Sequence, residues 1–130
     1  MNGTELASAK RVAARNYMDL IAWQKAMRLA EAIHEATSAM PVEERFGLTA
    51  QMRRAAVGIP ANIAEGEGRK TCGEFANQLS VAHGSVRELE THVMLAGRLG
   101  YIGTERSGLL LSQLAEVGRL INGLARSLKR

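Results

Sequence analysis

Residues 74–99 read EFANQLSVAHGSVRELETHVMLAGRL, and residues 104–128 read TERSGLLLSQLAEVGRLINGLARSL. In the first stretch Phe75, Leu79, Ala82, Val86, Leu89, Val93 and Ala96 recur at alternating steps of four and three. In the second, Leu110, Leu114, Val117, Ile121, Leu124 and Leu128 do the same. This repeat keeps one apolar seam turned toward a neighbour when helices cross at about 20°, the geometry of coiled coils and antiparallel bundles. The spacing predicts a third helix over Gly73 to Leu99, roughly 40 Å long at about 1.5 Å per residue. The turn from Gly100 to Thr104 is short, so the fourth helix has to run back beside the third.

Just before the third helix, Thr71 followed three residues later by Glu74 reads as a capping box that opens it, and Gly66 and Gly68 read as the end of the second. The second helix is expected from Gly47 or Leu48. Leu48, Met52, Ala55, Ala56, Ile59 and Ile63 fall on one face, with Arg54, Ala61 and Glu65 opposite. Pro60 sits inside it and removes one hydrogen bond, so a bend near Val57 is expected rather than a break. Asp19 is expected to cap a first helix opening at Leu20, with apolar positions at Leu20, Trp23, Met27, Ala30, Ile33 and Met40. Gln24, Arg28, Glu31 and Glu35 form its polar stripe, and Met40-Pro41 ends it. Residues 1–18 carry scattered small and charged residues without an apolar stripe and are read as a flexible leader, with a helical turn near Val12 at most. The expected architecture is all-α: an antiparallel up-down-up-down four-helix bundle over residues 19–130 behind a leader of residues 1–18.

Composition agrees with one core. The chain has 130 residues, 46% of them hydrophobic but only 4% aromatic, which leaves Leu, Ala, Val, Ile and Met to fill the interior. The single cysteine, Cys72, excludes an intrachain disulfide and a Cys-rich zinc site and fits a reducing compartment, so the cytoplasm is the expected location. Lys10, Arg11 and Arg15 break any apolar run near the start, and no stretch of membrane-spanning length follows, so no membrane association is expected.

Sites that chemistry would need are sparse. Glu31 and His34 have the Glu-x-x-His spacing of di-iron bundles, but only one copy is present and Glu31 belongs to the polar stripe. His83 and His92 are nine residues apart, and Glu88 with His92 would supply two ligands where zinc needs three or four. Cys72 lies beside Lys70 with no histidine to activate it. The string Gly66-Glu67-Gly68-Arg69-Lys70 follows a helix rather than a strand and lacks the full phosphate-loop pattern. No catalytic residue, metal, cofactor or small-molecule substrate is assigned, and an enzyme is not expected.

Charge is distributed unevenly. The net charge of +4 divides into +2 over residues 1–18, −1 over 19–103 and +3 over 104–130. In an up-down-up-down bundle Lys10, Arg11, Arg15, Arg69, Lys70, Arg126, Lys129 and Arg130 would gather at one end. Such a cluster attracts nucleic-acid phosphates, and these eight are the candidate nucleic-acid-binding residues. The competing reading is that the last three only complement the negative end of the fourth helix dipole. Arg53 and Arg54 lie at the opposite end. With Gly58 and Ala61, read as small residues on the outer face of the second helix, they are the candidate oligomer interface.

Several strings together carry a family resemblance: Asp19-Leu20-Ile21-Ala22-Trp23-Gln24-Lys25-Ala26, Phe46-Gly47-Leu48, Gln51-Met52-Arg53-Arg54-Ala55-Ala56, and the run Ile59 to Arg69 (IPANIAEGEGR). With Glu74-Phe75, Gly84-Ser85, Glu88-Leu89-Glu90 and Gly100-Tyr101-Ile102, they resemble the bacterial 23S rRNA intervening-sequence proteins over residues 19–128. The resemblance implies a four-helix bundle assembled into a homo-oligomer, pentameric rings being the associated form. Some relatives are encoded inside insertions in ribosomal RNA genes, and related bundles accompany reverse transcriptases, so RNA or a nucleoprotein is the implied partner. The sequence departs from the family pattern at Gly58, where Ser is common. A structural or protein–protein interaction oligomer with no nucleic-acid ligand is the alternative.

Overall fold

The computed structural model describes residues 16–129; Lys10, Arg11, Arg15 and Arg130 lie outside the described residues. Four helices make up most of it: α1 (Ile21–Thr37), α2 (Leu48–Glu67), α3 (Cys72–Arg98) and α4 (Thr104–Ser127). Short 3-10 turns, Tyr17–Asp19 and Val42–Glu44, precede α1 and α2. No strand occurs among the described residues.

The seam anticipated for α3 is buried from Leu79 to Ala96, with Phe75 half-buried at its start; in α4 Leu110, Leu114, Val117 and Ile121 are buried and Leu124 and Leu128 half-buried. Each large side chain taken fully out of water stabilises the fold by about 1.5–3 kcal/mol before entropy is counted. Their partners in α1 differ from the expected stripe. Ala22, Ala26, Leu29, Ile33 and Ala36 are buried, as is Met40 just past the end of the helix, Trp23 and Ala30 sit half-buried on the flank, and Met27 is 38% exposed. The true α1 seam also steps by four and three, but more than half of it is alanine. A reading weighted toward large residues therefore settled on the flank instead.

In α2 the buried positions Met52, Ala56, Ile59, Ile63 and Gly66 continue the same rhythm, accompanied by Leu48 and Ala55. The helix runs unbroken through Pro60, which is itself buried. Gly66 is buried because α3 comes very close there. A Cβ on it would lie 2.8 Å from both the Cβ of Gln78 and a ring carbon of Phe75. Gly68, rather than Gly66, occupies the position after the last helical residue.

Cross-helix contacts fix the relative directions. Lys25 meets Glu116 at 3.4 Å and Glu35 meets Arg106 at 3.6 Å, so α1 and α4 run in opposite senses. Arg53 near the start of α2 reaches Thr37 at the end of α1. Gly58 faces Ser85 while Gly66 faces Phe75, and Gly97 faces Ser107 while Gly118 faces Val86. Every adjacent pair is thus antiparallel, and each helix packs on two neighbours, α1 closing the ring against α4.

Two ends are built differently from expectation, and a third depends on a glycine. Asp19 does not cap α1. It is the third residue of a turn capped by Asn16, whose Oδ1 accepts the Met18 N–H at 2.9 Å, while Leu20 precedes α1 without a side-chain cap. This turn already includes Asn16 to Met18, within the stretch expected as a leader. Thr71 does cap α3, accepting the Glu74 N–H at 3.1 Å, but Glu74 makes no return bond among the described residues. At the end of α3 the backbone needs Gly100, whose φ of 77° is left-handed. The Tyr101 N–H then reaches the Ala96 carbonyl at 2.9 Å and closes a Schellman turn.

Candidate nucleic-acid interface

The antiparallel pairing brings the α2–α3 loop and the C-terminus of α4 to one end of the bundle. Arg69, Lys70, Arg126 and Lys129 are all exposed there. Arg69 Nη2 lies 3.5 Å from Glu65 Oε2, an exposed pair one helical turn apart and so a weak one. Lys70, Arg126 and Lys129 form no ion pair among the described residues. Arg126 folds back along α4, its Nη2 lying 3.8 Å from where a Cβ on Gly123 would be.

From Arg126 the polar track continues up the α3–α4 groove, which the sequence reading missed. His83 and Arg87 of α3 and Arg119 and Asn122 of α4 line an open cavity of about 200 Å3 floored by Val86 and Leu114. Gly118 and Ala115 leave the space. The Asn122 amide nitrogen lies 3.4 Å from His83 Nε2, and Arg87 pairs with Glu90 at 3.1 Å. The signal was present as spacing: His83 and Arg87 are i,i+4, and Arg119, Asn122 and Arg126 follow at steps of three and four. Each residue alone reads as a solvated helix position. Only the packing of α3 against α4 shows that they face one another.

The residues proposed from sequence as an interface divide. Arg53 is half-buried and engaged within its own chain: Nε donates to Thr37 Oγ1 at 2.8 Å, and Nη2 to the His34 carbonyl at 3.2 Å and Ser38 Oγ at 3.3 Å. It satisfies the end of α1, where backbone acceptors lack helical partners. Gly58 is not on the outer face. A Cβ there would meet Ser85 Oγ of α3 at 3.5 Å, and its carbonyl accepts from Asn62 Nδ2 at 2.7 Å. Arg54 and Ala61 are exposed, as read from sequence.

Glu31 and His34 are both exposed on α1, and Cys72 is exposed at the start of α3. His92 is buried with its Nε2 3.9 Å from Glu88 Oε2. Among the described residues no three His, Cys, Asp or Glu side chains come together as a metal ion would require. No helix among them is long and apolar enough to cross a membrane. The one clear electrostatic perturbation among the described residues is structural. Tyr101 donates to Glu44 Oε2 at 3.1 Å, and that hydrogen bond, followed by desolvation and the charges of Glu44 and Glu43, raises the phenol above its usual value. Glu44 Oε1 accepts the Leu48 N–H at 3.1 Å, so one carboxylate ties the start of α2 to the α3–α4 turn.

Among solved structures, a protein with unknown function from the S23 ribosomal protein family of Bacteroides thetaiotaomicron VPI-5482 superposes with a TM-score of 0.73. It covers 81% of this chain and 98% of its own, at 23% sequence identity, and the likeness is one of fold. No curated protein matches the chain. The family model for the 23S rRNA-intervening sequence protein matches residues 18–123. The chain belongs to the 23S rRNA-intervening sequence protein family.

Proposed function

We propose that the protein is a non-enzymatic, oligomeric bundle that binds RNA or a nucleoprotein through its basic surface. The observation that supports this is the basic track. Lys70 and Lys129 at one end, Arg126 along α4, and Arg119, Arg87 and His83 in the α3–α4 groove present exposed or half-exposed donors on one side. Each phosphate such a track neutralises releases counterions, so binding should weaken steeply with salt. Lys10, Arg11, Arg15 and Arg130 are proposed to add to the same end, on sequence grounds. The family's description, 23S rRNA-intervening sequence protein, supports an RNA context, and a cytoplasmic location is proposed with it.

No cofactor, metal or small-molecule substrate is part of this reading. Assembly into a homo-oligomer, a pentamer by family resemblance, would repeat the weak basic track several times and raise avidity without new contacts. A gel-shift titration against structured RNA and duplex DNA at two salt concentrations tests the proposal. Binding that falls sharply with salt is expected; no binding at low salt removes it. Light scattering tests the subunit number.

A second reading, a protein–protein interaction oligomer with no nucleic-acid ligand, draws on the apolar surface. Met94 lines a groove of about 410 Å3 with Gly97, Ser107 and Gly108, and Leu95, Leu99 and Leu109 are exposed toward the same end of the α3–α4 pair. Charge reversal along the basic track would leave that activity unchanged. It would abolish the first.

A further inference from the structure

The end of the bundle opposite the basic cluster carries a feature that neither the fold nor the basic track uses. The chain has two Phe, two Tyr and one Trp. Tyr17 and Trp23 pack edge to face at 5.3 Å between centroids, Phe75 packs on the core, and Tyr101 is held by Glu44. Phe46 alone stands out in water, 86% exposed, at the end of the α1–α2 connection. The backbone that carries it is nonetheless held. The Glu44 carboxylate is anchored at both oxygens, and the Gly47 N–H closes back on the Glu44 carbonyl at 2.9 Å. The Arg45 guanidinium lies 4.9 Å from the ring centroid and covers one face of it.

The same Arg45 lines an open cavity of about 240 Å3 with Thr37, Ser38, Thr49 and Arg53. Arg53 keeps Nη1 without a hydrogen bond among the described residues, and Thr49, only 8% exposed, has a hydroxyl with none either. Arg54, the residue after it on α2, is exposed. Of the two carboxylates in the connection, Glu44 is engaged as described and Glu43 is solvated. An exposed ring backed by a guanidinium, beside a cavity rich in donors, fits a ligand with a flat face and an adjacent anion.

We propose that Phe46 is a stacking platform for an unpaired nucleobase, with the adjoining phosphate taken by Arg45, Arg53 and Thr49. This rests on the nucleic-acid reading above and adds to it a preference for single strands. A duplex keeps its bases stacked and offers none to the ring, whereas a single strand offers a π face whatever its sequence. The ring adds little to folding, so its replacement leaves the bundle intact.

The test uses the full chain and an unstructured RNA of about a dozen nucleotides carrying one 2-aminopurine, within the site sizes usual for single-strand binders. The same RNA annealed to its complement is the control. Fluorescence quenching on binding and tighter binding of the single strand are expected. Phe46→Ala should weaken single-strand binding roughly tenfold with duplex binding and melting temperature unchanged, and Phe46→Trp should restore it. Arg45→Gln should weaken binding and flatten its salt dependence. Single-strand affinity unaltered in Phe46→Ala, while wild type binds, overturns stacking and leaves the broader reading standing. Wild type that binds neither strand at low salt overturns both. A Phe46→Ala protein with fewer subunits by light scattering but unchanged RNA affinity makes the ring a protein contact and overturns the proposal.

Discussion

The seams of α3 and α1 follow the same four-three rhythm, yet they are written in different alphabets. On α3 the buried positions from Leu79 to Val93 are mostly large, Leu, Val and Ala alternating, and the pattern stands out from its polar surroundings. On α1 three of the five buried seam positions are alanine, at 22, 26 and 36, while the larger Trp23 and Met27 lie to one side. The seam of α2 goes further and ends on a glycine, Gly66. A helix rich in small residues gains stability by close approach of backbones, and one rich in large residues by filling the space between them. The two strategies meet in one core, packed to the density of an organic crystal, where both missing and surplus volume are felt.

Deleting volume from the large-residue seam should have the largest effect. Leu89→Ala removes a fully buried side chain and leaves a cavity that neighbouring helices cannot close, at a cost of about 3–4 kcal/mol. Thermal unfolding followed by circular dichroism should show a fall of more than 10 °C, at roughly 3–5 °C per kcal/mol for a domain of this size. A smaller fall would mean that the seam is plastic.

Adding volume to the small-residue seam should come next. Gly66→Val places its Cβ against Gln78 Cβ and the Phe75 ring at 2.8 Å, and the added methyls force α2 and α3 apart. Overpacking of this kind costs about 2–3 kcal/mol, read as a lower midpoint in urea. An unchanged midpoint would refute close approach as the reason for glycine.

The other α2 glycine facing α3 should respond with opposite sign. Gly58→Ala meets Ser85 Oγ only at ordinary contact distance, 3.5 Å, and removes a flexible residue from a helix interior. A gain of about 0.5–1 kcal/mol is expected. A loss would show that the α2–α3 interface is tighter there than its spacing indicates.

The smallest effect is confined to alkaline pH. The Glu44 hydrogen bond raises the Tyr101 phenol above the usual value of about 10, so its stabilising contribution is complete below that pH and disappears as pH rises through the folded-state value. The midpoint of wild type should therefore fall more steeply above about pH 10 than that of Tyr101→Phe. Parallel curves would detach the α3–α4 turn from the start of α2.

Much of the candidate site was legible in part. Arg69, Lys70, Arg126 and Lys129 share one end because connectivity alone places them there. The α3–α4 groove escaped notice because His83 and Arg119 are far apart in sequence, and each sits on a polar face that reads as solvent. The partners of Arg53 were hidden for a related reason. A guanidinium on a helix face announces its charge, not the Thr37, His34 and Ser38 oxygens that consume it.

By itself the sequence determined the helices, their approximate ends and the seam of α3 and α4, because hydrophobic period and turn chemistry are local properties of the chain. It also determined the family, through the run from Arg53 to Arg69. Tertiary structure alone decided which face of α1 is inside, why Gly66 must be glycine, that Gly58 faces α3, and that Glu44 bridges two turns 57 residues apart along the chain. These depend on distances between backbones. Small residues carry almost no hydrophobic signal of their own, and it is their neighbours in space that give them a role.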